Sequence, residues 1–379
     1  MSVRFLTAVS GRVSNMRDRF GREIDYMRIS VIDSCNLNCY YCNPQDNNKN
    51  CQAINTLSVK KVLCIVRAAT RLGITHFRLT GGEPLLHPQI DEMVSQIKKI
   101  PGVRSVSLTT NAVLLAQHAK QLKEAGIDSI NVSLDTIDAS EYEHITKKPL
   151  LDKVEHGINA AIEFGIRVKI NVVLTPQTDV VALTRYASKK GTDIRFIEMM
   201  PVGEGHTNGV EPYKKVIGTL SELYGEPYYV NTGKTKEINS GYNKYKEERK
   251  NPDNGPAEYY SFHGLDIRVG LIQAIHGKFC DTCNRIRVTA DGRLMPCLGS
   301  SVTMDLVPDS CEFTDDLEKD FVIVQALKAA IKAKPGCHNF NDNAVTYTKT
   351  TETKTTEIKT TELKAAEVNA ARNMSRIGG

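Results

Sequence analysis

The sequence predicts an α/β chain, an incomplete (β/α)6 TIM-like barrel followed by a smaller α+β domain. Three observations carry that prediction. Short β-rich runs alternate with helical runs six times between residues 26 and 200, and strand–helix–strand repeats need parallel pairing with right-handed crossovers. The end of every β-rich run carries polar or conformationally special residues. Two cysteine trios lie far apart, one inside the barrel stretch and one beyond it.

The strands are expected over 26–33, 75–80, 104–110, 128–135, 166–174 and 193–199. Between them apolar residues recur at helical spacing, as in Val59, Val62, Leu63, Val66 and Leu72, and in Leu114, Leu115, Leu122 and Ala125. Gly73, Gly126 and Gly165 follow three of these helices, where a left-handed residue ends the last turn. The strand ends read in order as the Cys35 loop, Gly81-Gly82-Glu83-Pro84, Thr109-Thr110-Asn111, Ser133-Leu134-Asp135, Lys169-Ile170-Asn171 and Glu198-Met199-Met200. A doubly wound sheet accommodates the same repeat. Six unusual ends on one rim favour the barrel, where chemistry gathers at the C-terminal ends of the strands. A length of 379 residues with 41% hydrophobic content supports two domains. The expected division is 1–205 for the barrel, 206–340 for the second domain and 341–379 for a tail.

The trios are Cys35, Cys39 and Cys42, and Cys280, Cys283 and Cys297. Three soft thiolates can seize one metal centre, and each trio is one short of the usual four ligands, which leaves a position open. Structural zinc normally closes with four ligands. Ten cysteines in a long chain of mixed composition, with no secretory leader expected, make a poor disulfide scaffold. Cys51, Cys64, Cys311 and Cys337 stand alone. Residues 285–290 and 293–298 read as a hairpin turned at Asp291-Gly292, which folds Cys297 back beside Cys283. Alternation puts Arg285, Arg287 and Thr289 on one face, and two guanidinium forks there suit a triphosphate. A strict two-residue turn would pair Cys297 with Ile286, on the opposite face. The net charge of +5 suits a small anionic substrate, and the absence of Trp and of a dense basic stripe argues against nucleic acid. No apolar stretch is long enough for a bilayer span.

The Cys-x3-Cys-x2-Cys loop with Tyr41 before its last cysteine, together with Gly81-Gly82-Glu83-Pro84, resembles the signature of the radical S-adenosylmethionine superfamily. Within it, Asp18-Arg19-Phe20-Gly21-Arg22, Gly255-Pro256-Ala257, Cys280-Asp281-Thr282-Cys283-Asn284-Arg285-Ile286-Arg287, Pro296-Cys297-Leu298 and the terminal Gly378-Gly379 resemble the GTP 3′,8-cyclase family of molybdenum-cofactor biosynthesis. The resemblance implies a barrel of the radical S-adenosylmethionine type and a [4Fe-4S] cluster on each trio. S-adenosylmethionine would lie on the first cluster, near Tyr41, Gly82, Ser133 and Met200. It places Arg28, Arg78, Thr109, Lys169, Arg285, Ile286 and Arg287 around GTP, and gives catalytic roles to Arg285, Arg287, Gly378 and Gly379. It implies a flavodoxin or ferredoxin as reductant and a product handed to cyclic pyranopterin monophosphate synthase. A cytoplasmic location and a possible homodimer go with it. A radical enzyme that modifies peptides, with a related cluster domain, is the alternative.

Ser34, Asn43 and Ala112 depart from the family pattern, where Arg, Met and Gly are expected, and Ala112 falls in a turn that asks for positive φ. Residues 350–364 repeat Thr-Thr-Glu-x-Lys three times. A five-residue period matches neither helix nor strand, so a solvated tether is expected there.

Overall fold

The computed structural model describes residues 16–42, 54–202, 210–229, 255–300, 303–306, 317–338 and 340. Its elements begin with β1 (Tyr26–Ser30), α1 (Val59–Thr70), β2 (His76–Thr80), α2 (Ile90–Lys98), β3 (Ser105–Thr110), α3 (Leu115–Glu124) and β4 (Ser129–Ser133). A helix pair follows, α4 (Ala139–Thr146) and α5 (Leu151–Glu163), and then β5 (Val168–Val173), α6 (Val180–Lys189) and β6 (Asp193–Ile197). The C-terminal half supplies α7 (Thr219–Tyr224), β7 (Tyr228–Tyr229), β8 (Glu258–Ser261), β9 (Val269–Ile272), β10 (Arg285–Val288), β11 (Arg293–Met295), β12 (Met304–Asp305) and α8 (Leu317–Ala333).

Local chemistry sets the helix ends. Ser58, Asp138 and Asp179 accept hydrogen bonds from the backbone N–H of Lys61, Glu141 and Ala182, three residues on in each case. Gly73, Gly126 and Gly165 sit at φ +83°, +86° and +67°, as the sequence predicts for helix stops.

The twelve strands among the described residues form one sheet in the order β12-β11-β10-β1-β2-β3-β4-β5-β6-β9-β8-β7. Strands β1 to β6 pair in parallel, one after another, as the expected (β/α)6 core. The sequence reading did not foresee that the C-terminal half lengthens this run at both ends. Strand β10 lies parallel to β1, and β9 lies parallel to β6.

Alternation along each strand separates two faces. Met27, Ile29, Phe77, Leu79, Val106 and Leu108 are fully buried on the side where α1, α2 and α3 pack. The other face, the barrel interior, carries Arg28, Arg78, Ser107, Asn131, Lys169 and Arg195: Arg28 pairs with Arg78 and Arg78 with Ser107, Asn131 pairs with Thr109 and Lys169, and Arg195 pairs with Asn171.

Candidate active site

The first trio lies in the loop that follows β1. Gly81 and Gly82, after β2, press on the root of that loop. A Cβ on Gly81 would stand 2.4 Å from Ile32 O, and one on Gly82 would stand 2.1 Å from Ser34 O, so neither position has room for a side chain. Their backbone makes the contact instead: Gly82 N–H donates to Ile32 O (2.7 Å) and Glu83 N–H to Ser34 O (2.8 Å). On the far side, Asn38 and Tyr40 N–H donate to Thr146 and Ile145 O at the end of α4. Asn111 Nδ2 reaches Asn36 Oδ1 (2.7 Å) and Cys35 Sγ (3.8 Å).

A buried carboxyl, Glu83, and a half-buried one, Asp135, tie this rim together, and the sequence reading gave neither a role. Glu83 accepts from the Thr110 hydroxyl, the Leu85 N–H and the Asn111 N–H, joining the ends of β2 and β3; burial lifts its pKa to about 7. Asp135 accepts from the Tyr41 hydroxyl and the Val173 N–H, and burial lifts it to about 6. Tyr41 is therefore a strut between the thiol loop and the ends of β4 and β5. Burial, with negative neighbours, pushes the Cys39 thiol up and the Cys42 thiol to about 12. Cys35 is raised by burial too. Among the described residues no three such side chains already stand in metal-holding geometry, but Cys39 and Cys42 feel their neighbouring thiols, and a cationic metal centre would reverse that preference and draw out the protons.

The second trio is set by a 3-10 turn, Phe279–Thr282, which carries Cys280, by Cys283 after it, and by Cys297 beyond β11. Burial opposes ionisation of Cys283, yet the Arg285 and Lys334 cations outweigh it and hold the thiol at about 6. That is a thiolate ready to ligate. Arg22 links this region to the N-terminal part: Nε pairs with Asp18 (2.6 Å), and its other nitrogens donate to the carbonyls of Cys280, Pro335 and Gly336.

The hairpin between Cys283 and Cys297 departs from expectation. Its loop has three residues, Ala290, Asp291 and Gly292, because Thr289 N–H bonds Arg293 O (2.8 Å) and the Thr289 side chain also engages Arg293. Gly292 takes the left-handed position at φ +83°. The register is therefore Arg287↔Met295, and extended two residues it sets Cys297 opposite Arg285. The pairing with Ile286 is corrected by one residue, and Cys297 shares a face with the arginines.

Those arginines belong to the barrel interior. Arg287, Arg28 and Arg78 are cross-strand neighbours on β10, β1 and β2. Arg78 donates to Tyr26 and Thr109, and the row continues through Asn131 to Lys169. Burial first, then the neighbouring cations, depress Arg28 well below its ordinary value, Arg287 to about 10 and Lys169 to about 6. Arg195 was missed by the sequence reading. It lies across from Asn171, to which its Nε donates at 2.9 Å, and alternation on β6 would have found it. Arg28 Nε and Arg195 Nη2 are buried with no hydrogen-bond partner among the described residues. So many cations on one interior face form a receptor for a multiply charged anion.

The structure thus brings the two trios and Arg28, Arg78, Thr109, Lys169, Arg285 and Arg287 to one barrel. Ser133 opens at the end of β4 and half-buried Met200 follows β6. Ile286 turns its side chain into the apolar core, so only its backbone is available to a ligand. Ala112 does adopt positive φ, +64°. Gly378, Gly379, Asn43 and the 350–364 repeat lie outside the described residues.

A thiol loop on the rim of an open parallel barrel defines a class. Residues 29–183 match the Radical SAM superfamily, and residues 192–340 match Molybdenum Cofactor Synthesis C. The crystal structure of Streptococcus suis SuiB bound to S-adenosylmethionine shares the fold, with a TM-score of 0.53 at 14% identity over 80% of this chain and 65% of that one. The GTP 3′,8-cyclase of Clostridium perfringens (strain SM101) is 36% identical over 330 residues, covering 86% of this chain and 95% of the relative. That of Listeria monocytogenes (strain EGD-e) is 36% identical over 327 residues, covering 85% and 92%. The chain belongs to the GTP 3′,8-cyclase family.

Proposed function

We propose that this chain converts GTP to (8S)-3′,8-cyclo-7,8-dihydro-GTP, the first step of molybdenum cofactor biosynthesis. The observation that carries the reading is the cation row Arg287, Arg28 and Arg78, set across three adjacent strands of the barrel that bears both trios. Cys35, Cys39 and Cys42 hold one [4Fe-4S] cluster, and Cys280, Cys283 and Cys297 hold the other. When bound, the first cluster and S-adenosylmethionine supply one-electron chemistry that removes a hydrogen atom from the substrate. The protein's own work is to hold and orient. Arg28, Arg78, Lys169, Arg195, Arg285 and Arg287 grip the triphosphate, Thr109 stands beside Arg78, and the ribose is left facing the first trio. Tyr41, Gly82, Ser133 and Met200 border S-adenosylmethionine. The interior excludes water, which protects a reactive intermediate.

The electron comes from a protein such as flavodoxin or ferredoxin, and the product passes to cyclic pyranopterin monophosphate synthase. The chain acts in the cytoplasm, where thiolates stay reduced, and can pair as a homodimer. No described helix is long and apolar enough to cross a membrane. Residues 1–205 and 206–340 are the units that bring the first and second trio, and 341–379 tether Gly378 and Gly379 to the site.

The test is anaerobic turnover with a one-electron reductant. GTP-dependent consumption of S-adenosylmethionine, with appearance of the cyclised nucleotide, is the expected result. S-adenosylmethionine consumption that ignores GTP would refute the reading and favour a peptide substrate.

A further inference from the structure

Lys334 directly follows α8 and is 2% exposed. A lysine ammonium has three N–H donors, and those of Lys334 meet three acceptors around the second trio: Cys283 Sγ at 3.4 Å, Arg285 O at 2.8 Å and Pro296 O at 3.1 Å. The last two flank Cys283 and Cys297 along the chain, so one side chain touches both arms of the cysteine-bearing hairpin. Among the described residues no carboxylate pairs with it. A cation buried so deeply without a counter-ion is costly unless something anionic answers it.

Arg22 provides the contrast. It is also buried beside the second trio, but Asp18 neutralises it, and its remaining contacts are backbone carbonyls. Arg22 is a clamp. Lys334 has no carboxylate, and one of its three contacts is a ligand sulfur.

We propose that Lys334 is a positioning residue for the second cluster: it donates a hydrogen bond to the Cys283 thiolate and so raises that cluster's reduction potential. This rests on the second trio holding a four-iron cluster. Reduction adds an electron to a centre already bound by three thiolates. A neighbouring ammonium and an N–H···S bond stabilise the more negative, reduced form over the oxidised one, and hydrogen bonds to sulfur and local charge are among the terms that set such potentials. A purely structural lysine would hold the hairpin through Arg285 O and Pro296 O and leave the potential alone.

The experiment uses the full-length protein with Cys35, Cys39 and Cys42 replaced by alanine, so that the second cluster alone is read in an EPR-monitored redox titration. Lys334→Met should keep its iron and shift the reduction equilibrium at least tenfold toward the oxidised cluster, about 59 mV lower for one electron. Lys334→Arg, which keeps charge and donors, should recover most of the shift. An unchanged midpoint in Lys334→Met with full iron overturns the proposal alone. No second-cluster signal with Lys334 in place overturns the cluster and the proposal together. If Lys334→Met cannot hold iron, protein labelled with 15N-lysine decides. A 15N coupling to the reduced cluster in pulsed EPR, lost in Lys334→Arg, supports the hydrogen bond, and its absence refutes it.

Discussion

Replacing Gly82 with alanine tests whether the first thiol loop is held by backbone contact. The added carbon would stand 2.1 Å from Ser34 O, 2.4 Å from Ser34 C and 2.8 Å from Asp33 O. Cβ contacts under 3.0 Å are essentially never seen, and all three atoms are backbone, so the two chain segments must part by roughly 1 Å. Two hydrogen bonds cross that gap, Gly82 N–H to Ile32 O and Glu83 N–H to Ser34 O. Losing both costs about 1–3 kcal/mol, and the overpacking adds about 1–3 kcal/mol. A domain of ordinary stability, about 5–15 kcal/mol, survives that. The site does not, because Ser34 adjoins Cys35 and a shift of about 1 Å can lower a rate about a hundredfold. Gly82→Ala should therefore stay folded and keep its second-cluster iron. It should either lose about half its total iron or cleave S-adenosylmethionine about a hundredfold more slowly. Gly218→Ala is the control, since its Cβ would meet nothing within 4 Å and its φ of −55° is helical. Iron analysis and anaerobic cleavage rates on both variants decide the matter. Full iron with wild-type cleavage in Gly82→Ala would refute the reasoning.

Arg287→Ala should weaken GTP binding about ten- to a hundredfold, for a loss of about 1.5–3 kcal/mol, and leave both clusters intact; equilibrium binding and iron content check this. GTP binding should take up a proton at Lys169. Burial and the nearby arginines lower that lysine to about 6, so near pH 7.5 it is mostly neutral until a triphosphate restores its charge. Uptake should therefore vanish below about pH 6, and affinity should fall as pH rises above it. Calorimetry in buffers of different ionisation enthalpy reads the uptake, and Lys169→Gln, which should lack it, corrects for the nucleotide's own titration. Deleting Gly378 and Gly379 should cripple cyclisation without changing iron content or melting temperature, while removal of one Thr-Thr-Glu-x-Lys repeat should be tolerated. Full activity without the glycines would make that end dispensable.

What the sequence disclosed was chemistry that is local in the chain. Cys35, Cys39 and Cys42 fall within eight residues, Gly81-Gly82 sits at a strand end, and Arg285 and Arg287 differ by the two-residue period of a strand. Alternation also put Arg285, Arg287 and Thr289 on one face without any structure. What stayed hidden depends on partners distant in sequence. The residues between Arg195 and Lys169 do not say which cations share a barrel, since that is decided by the pairing of β5 with β6. Strands β9 and β10 read as a separate domain because nothing in their own residues names β6 or β1 as the neighbour. Lys334 carries no motif, and the run that holds Arg22 does not name its partners; the meaning of both comes from carbonyls and a sulfur up to 314 residues away. The hairpin turn was misjudged by one residue because the Thr289 side chain engages Arg293, so that Ala290 joins the loop.

The flanking strands also govern how the chain must be born. Asp25, just before β1, is bonded to Asn284, just before β10, 259 residues later. At about 5–20 residues per second, a ribosome needs roughly 13–50 s to supply that partner. Throughout this interval one margin of the nascent sheet offers unsatisfied N–H and C=O groups to any other strand nearby. The opposite margin, at β6, waits in the same way for β9. Such distant pairings fold slowly, so successful production of this enzyme depends on keeping a half-made barrel from finding another one first.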